Sequence, residues 1–275
     1  SFKSDKNQTL NGYLYSSAKV DNYKALIVFS HGMGAGHLAY TTEINYFAQK
    51  GYLVLAYDNT GTCSSEGEKL YGFAQGVIDL KHALKFVKTR DDLKNMPLLL
   101  LGHSWGAYSV CNVSAICSEI EIKGISAFSP FNSMNKLIRD NAKLTSKANL
   151  SIFSPFFDLL NLFRFGKAGI LRTCDSIDSN EIPTLVMHGG NDLQVTLKNS
   201  PVGLKHRIKN NPNARTILFD SKYHNVYLAK DAEQYLNDTF SKIQSLGENS
   251  PEAYEIYQNI DYALITKEDL TVMDT

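Results

Sequence analysis

The sequence predicts an α/β fold, a mostly parallel twisted sheet with helices on both faces, and three observations predict it. Short apolar runs alternate with longer amphipathic ones along the 275 residues, which is the rhythm of strand, helix, strand. Several of the short runs, such as LIVFS, LVLAY and LLLLGH, are continuously apolar, as a strand covered on both faces must be. A glycine-flanked serine, GHSWG at 102–106, stands where one of these runs meets a helix-like stretch.

In chain order the strands read as 9–15, 24–30, 52–58, 97–104, 122–129, 184–190 and 215–220. Helices read as about 40–50, 70–88, 105–118, 198–210 and 231–246. Gly51 closes the first helix as a C-terminal cap and Asp231 opens the last. Between Ser129 and Pro183 lies a long stretch without a strand, crowded in its middle with Phe, Leu and Ile. That length is unusual for a connection in a compact domain. Two readings stay open for 131–182: ordinary packing helices, or a small helical lid whose apolar inner face lines a pocket. Residues 247–275 read as a C-terminal extension packing on the core, so the whole of 1–275 is expected to be a single domain.

Composition narrows the function. A hydrophobic fraction of 43% and a charged fraction of 20% describe a globular chain. The 28 basic and 28 acidic side chains cancel, which gives no electrostatic case for nucleic acid or an anionic membrane. Cys63, Cys111, Cys117 and Cys174 show neither a CxxC pair nor a metal spacing, and read as reduced, mostly buried thiols. A cytoplasmic setting is the expectation from that cysteine usage. The chain begins at Ser1, so a removed upstream signal or anchor stays open.

GHSWG carries the chemistry. A strand that turns straight into a helix leaves no room for a β-carbon on the flanking residues, and it forces Ser104 into a strained conformation with its hydroxyl presented. The following helix points its N–H groups at the site, which favours an anionic intermediate. A serine hydroxyl also needs a base and a group to orient that base.

With those residues in place, the chain resembles the α/β-hydrolase family, in its lipase-like and serine-aminopeptidase-like branches. The resemblance spans about 9–246 and rests on HGMG at 31–34, GHSWG, the loop HGGNDLQV carrying Asp192, and the loop KYHNVY carrying His224. It implies an α/β-hydrolase fold and a triad of Ser104, Asp192 and His224. By motif position it implies an oxyanion hole from the backbone N–H groups of Met33 and Trp105. It implies acyl transfer, with no metal or organic cofactor required. Asp58-Asn59-Thr60-Gly61 is similar to the family's DxxG turn but has no basic residue at its second position, so a local ion pair is expected to be missing.

The competing side chains have other readings. His82 and His206 fall on helix faces, His188 in a strand core, and His103 points away from Ser104 by strand alternation. Asp220 is expected to shape its loop and Asn191 its turn.

An apolar acyl or aromatic pocket is expected, with His31, Gly32, Tyr108, Phe153, Phe156 and Phe157 touching substrate. The function expected is therefore a carboxylesterase acting on small-molecule esters. A thioesterase, a protein deacylase or a peptidase stays open, the last with Glu66 and Glu68 as candidate amine anchors. So does a reading from another class, a silent member of the fold that binds a small apolar ligand without turning it over. Oligomeric state is not readable from these residues.

Overall fold

A computed structural model describes residues 1–17, 22–68, 72–146, 153–246 and 250–259. After a two-stranded antiparallel ribbon, β1 (Phe2–Lys3) and β2 (Thr9–Leu10), come the strands of the main sheet. These are β3 (Gly12–Tyr15), β4 (Leu26–Ser30), β5 (Leu53–Tyr57), β6 (Leu98–His103), β7 (Gly124–Phe128), β8 (Thr184–Gly189) and β9 (Ala214–Phe219). Their spatial order is β3-β5-β4-β6-β7-β8-β9, parallel throughout except for the edge strand β3. The helices are α1 (Thr41–Gln49), α2 (Ala74–Thr89), α3 (Trp105–Asn112), α4 (Met134–Ser146), α5 (Ser154–Phe165), α6 (Thr173–Asp178), α7 (Lys230–Leu246) and α8 (Pro251–Gln258).

The continuous apolar runs bury both faces of the sheet. On β4, Leu26 and Val28 join the core beneath α2 and α3, while Ile27 and Phe29 join the opposite one with Ile44 of α1 and Leu236 of α7. Each fully buried side chain of this kind contributes about 1.5–3 kcal/mol relative to exposure, so slipping β4 by one residue exchanges the two sets.

The sequence reading differs from the structure in four places. The run 9–15 is broken at Asn11, so that Thr9–Leu10 pairs with Phe2–Lys3 and only Gly12–Tyr15 joins the main sheet. The expected helix at 198–210 is instead two single 3-10 turns, Leu197–Asn199 and Lys205–Arg207, because Pro201 and Gly203 interrupt any longer hydrogen-bonded run. The helix expected over 105–118 ends at Asn112 and continues only as a 3-10 turn. Asp231 lies inside the first turn of α7, not before it. Gly51 does close α1, at φ +94°.

Within 131–182, the flanks belong to the core: Phe131, Met134 and Leu137 at one end, Cys174 and Ile177 at the other, are buried. Helix α5 between them is different. It has no buried residue, and Phe156, Leu159 and Phe163 are all exposed, Phe163 by 92%. The start of the Phe/Leu-rich stretch, at 149–152, and most of the C-terminal extension, including 267–275, lie outside the described residues.

Candidate active site

The site is built at the C-terminal end of the parallel strands, where such sheets collect their functional loops. Ser104 follows β6 directly, with φ +53° and ψ −114°, a conformation that costs about 1–3 kcal/mol and persists only where its surroundings impose it. The surroundings are visible. A Cβ on Gly106 would stand 1.9 Å from the Ser30 carbonyl oxygen, and one on Gly102 2.6 Å from the backbone of Gly106. Helix α3 is thereby seated against the ends of β4 and β6, with all eight of its residues buried. Trp105 anchors it from below, its indole N–H donating to the Phe73 carbonyl at 2.6 Å.

The loop after β8 carries Asp192, with its side chain fully buried. Its Oδ1 accepts the N–H groups of Gln194 and Val195 at 2.9 and 2.8 Å, and its Oδ2 accepts Nδ1–H of His224 at 2.8 Å. The loop carrying His224, after β9, is zipped to it: Asn191 N–H donates to the Lys222 carbonyl at 2.9 Å. His224 keeps Nδ1 for the carboxylate, which leaves Nε2 to accept a proton. Among the described residues no hydrogen bond joins Nε2 to Ser104 Oγ. Nucleophile and base often stand apart at rest and close on substrate.

Three further groups, none singled out in the sequence for this contact, fix the backbone around His224. Ser129 Oγ and His103 Nε2 both donate to its carbonyl, at 2.6 and 3.2 Å. Glu233, on α7 and 1% exposed, accepts the N–H groups of Tyr223 and Asn225 on either side of it, at 3.1 and 2.8 Å. No local pattern marks such residues, since they are partners only across the fold.

His103 lies in a buried cluster, its ring 4.8 Å from that of His224 and 5.7 Å from that of Tyr40. Its Nε2 must carry the proton, because the His224 carbonyl can only accept. Nδ1 then accepts the Tyr40 hydroxyl at 2.8 Å, and Tyr40 Oη accepts Gly32 N–H at 3.0 Å. Burial first, and the neighbouring His224 second, hold His103 well below the usual histidine range. His188 is likewise buried, with Nε2 donating to the Val195 carbonyl at 2.9 Å and lying 3.5 Å from Asp192 Oδ2.

The expected substrate contacts are placed as follows. His31 is wholly buried, Nδ1 donating to its neighbour's carbonyl at 2.7 Å and Nε2 accepting Asn59 N–H at 3.0 Å. Both of its ring nitrogens are thus engaged within the HGMG and DNTG loops. Gly32 is buried, with its N–H already taken by Tyr40. Tyr108 is fully buried one turn along α3, stacked on Phe131 at 4.3 Å with its hydroxyl donating to the Leu171 carbonyl; it is a packing residue. Met33 is 47% exposed at the loop's tip. Phe153 and Phe156 are exposed and Phe157 half-buried at the outer helix α5.

At the DNTG turn, whose second position is not basic, Asp58 takes its hydrogen-bond partners from elsewhere. Asp58 Oδ1 accepts both the backbone N–H and the ring Nδ1–H of His37, at 2.9 and 2.8 Å, and Ser64 Oγ donates to Oδ2. Burial opposes the charged carboxylate, but the His37 and Ser64 bonds outweigh it and leave Asp58 below the usual range. Glu66 is engaged at the sheet edge, accepting Thr9 N–H and standing 3.8 Å from Lys3 Nζ.

This sheet order, with the strained serine after β6 and the acid and histidine loops after β8 and β9, is the α/β-hydrolase fold. The family profile described as serine aminopeptidase, S33 matches residues 21–162, and the chain belongs to that family. The match takes in the HGMG loop and the elbow and stops short of Asp192 and His224. Among curated relatives, the chain is 26% identical over 168 residues to a monoglyceride lipase of Rattus norvegicus, covering 61% of this chain and 54% of that protein. The chain thus spans about half the length of that relative. Among solved structures it is similar to an esterase of Pyrococcus furiosus, with TM-score 0.64, 20% identity and coverage of 88% and 86%. It is also similar to Est1E of Butyrivibrio proteoclasticus with ferulic acid bound, with TM-score 0.62, 17% identity and coverage of 89% and 97%.

Proposed function

We propose that this chain is a serine hydrolase that cleaves carboxylic esters of apolar or aromatic acyl groups through a covalent acyl-enzyme. The observation that carries it is the buried Asp192–His224 pair at 2.8 Å, set at the same end of the sheet as a serine held at φ +53°. Ser104 Oγ adds to the ester carbonyl as His224 Nε2 takes its proton. The resulting oxyanion is received by the N–H groups of Met33 and Trp105. Collapse expels the alcohol, which takes the proton back from His224, and water repeats the sequence to release the acid and restore Ser104. Asp192 stabilises the imidazolium that forms in each half. The exposed apolar helix α5 is proposed as the cap over the acyl group, on the ground that it has no buried residue and presents Phe156, Leu159 and Phe163.

A fluorophosphonate probe tests the nucleophile. It is expected to label the wild type and not Ser104→Ala with the same thermal melt; an unlabelled wild type favours a silent ligand-binding member of the fold. Rates on p-nitrophenyl esters from acetate to palmitate test the substrate class, and a preference for acetate alone contradicts an apolar acyl pocket. The engagement of Glu66 at the sheet edge weighs against its use as an amine anchor, and so against the peptidase reading.

A further inference from the structure

Glu233 is nine residues beyond His224 in the chain, in the first turn of α7, and yet its carboxylate is directed back at the base loop. A carboxylate in a helix's first turn ordinarily serves that helix's own free N–H groups. This one serves a different segment: Oε2 accepts Tyr223 N–H at 3.1 Å and Oε1 accepts Asn225 N–H at 2.8 Å. The chain makes this reach possible by a tight return, with Leu228 N–H donating to the Asn225 carbonyl and Glu233 N–H to the Ala229 carbonyl, both at 2.9 Å.

The consequence is geometric. The amide that enters Tyr223 and the amide that leaves His224 are held by a single planar group, one oxygen each, so the two-residue stretch Tyr223-His224 is tied at both ends and cannot turn without breaking a bond to the carboxylate. Ser129 and His103 hold the carbonyl of His224 from the opposite element, and Asp192 holds its ring. Of these partners, Glu233 is the one that grips both flanking amides. It is 1% exposed, which removes the competing water that makes such bonds weak at a surface.

We infer that Glu233 is a positioning residue for the general base, a clamp that fixes where His224 Nε2 points relative to Ser104. The inference rests on His224 being the base, as proposed above. Glu233 touches no reacting atom. It acts only through His224, and a displacement of about 1 Å at a base costs on the order of 100-fold in rate.

That dependence sets the experiment, a double-mutant cycle read by p-nitrophenyl butyrate kinetics and by the rate of fluorophosphonate labelling. Glu233→Gln keeps the shape but turns an NH2 group toward one of the two amides. It is expected to lower kcat and the labelling rate together by about 10- to 100-fold, with KM within about twofold. In the His224→Ala background the same substitution is expected to change the labelling rate by less than about twofold, because the residue it positions is gone. An equal loss in both backgrounds, or a loss confined to KM, overturns the clamp while leaving the triad standing. Wild-type rates in Glu233→Gln with an inert His224→Ala do the same. Wild-type rates in His224→Ala overturn the base assignment itself and the clamp with it. Should Glu233→Gln fail to accumulate folded, Glu233→Asp, which keeps the charge but cannot span both amides, is read by the same cycle.

Discussion

Nδ1 of His224 stands 2.8 Å from Oδ2 of Asp192, although 32 residues separate them in the chain. Because Oδ1 is committed to two backbone amides, the substitution Asp192→Asn has one low-energy orientation. The amide oxygen stays with those N–H groups and the NH2 faces His224. That places a donor opposite Nδ1, moves the ring proton to Nε2 and removes the base. The expected loss in kcat on p-nitrophenyl butyrate is about 10³- to 10⁴-fold, with little change in melting temperature. A kcat close to wild type places the base elsewhere.

Gly106 separates the elbow from β4. A Cβ there meets the Ser30 carbonyl at 1.9 Å and the His31 carbonyl at 2.7 Å, and both are backbone, so neither can swing aside. Gly106→Ala is expected to cost about 3 kcal/mol or more, read as loss of soluble folded protein or a collapsed urea midpoint. A variant as stable as the wild type contradicts the seating of α3.

Tyr40 bridges the HGMG loop and the strand before the elbow, accepting Gly32 N–H and donating to His103 Nδ1. Tyr40→Phe leaves both groups buried and unpaired, at an expected cost of about 1–3 kcal/mol in urea unfolding. An unchanged midpoint shows that the hydroxyl contributes nothing to this bridge.

His103 supplies a pH prediction. Its folded value is held well below the ordinary 6.5, so as pH falls below that value the unfolded chain takes up a proton that the folded chain refuses. Its contribution is therefore intact above about pH 6.5 and is lost as pH falls toward the folded value. His31 and His188 are lowered too, each chiefly by burial, and act with the same sign. Asp79 and Glu233, raised chiefly by burial, act with the opposite sign. Comparison with His103→Gln cancels these shared terms. As pH falls below about 6.5 the wild type is expected to lose stability more steeply than the variant. Parallel stability curves contradict a neutral buried His103.

Much of the architecture was legible because it is written in local terms. A strand covered on both faces has to be apolar along its buried length, and the four leucines at 98–101 satisfy that without reference to anything else in the chain. GHSWG is legible for the same reason: the steric demand that makes its glycines necessary acts between neighbours. The surroundings of Tyr108 are not legible in the same way, because the side of α3 it occupies is set by Phe131 and Leu171, which lie elsewhere in the chain. The turns at 198–210 were misread as a helix because their Lys-rich, amphipathic spacing outweighed Pro201 and Gly203.

The sequence by itself determined the strand and helix rhythm and the strained serine, since each follows from short-range sterics and periodicity. Only the tertiary structure decided that Glu233 grips the loop of His224, that His37 donates to Asp58, and that His31 faces inward. Those choices are made by burial: a polar group removed from water must find whichever partner the packed chain brings within about 3 Å, and the partner's position in sequence has no bearing on that distance.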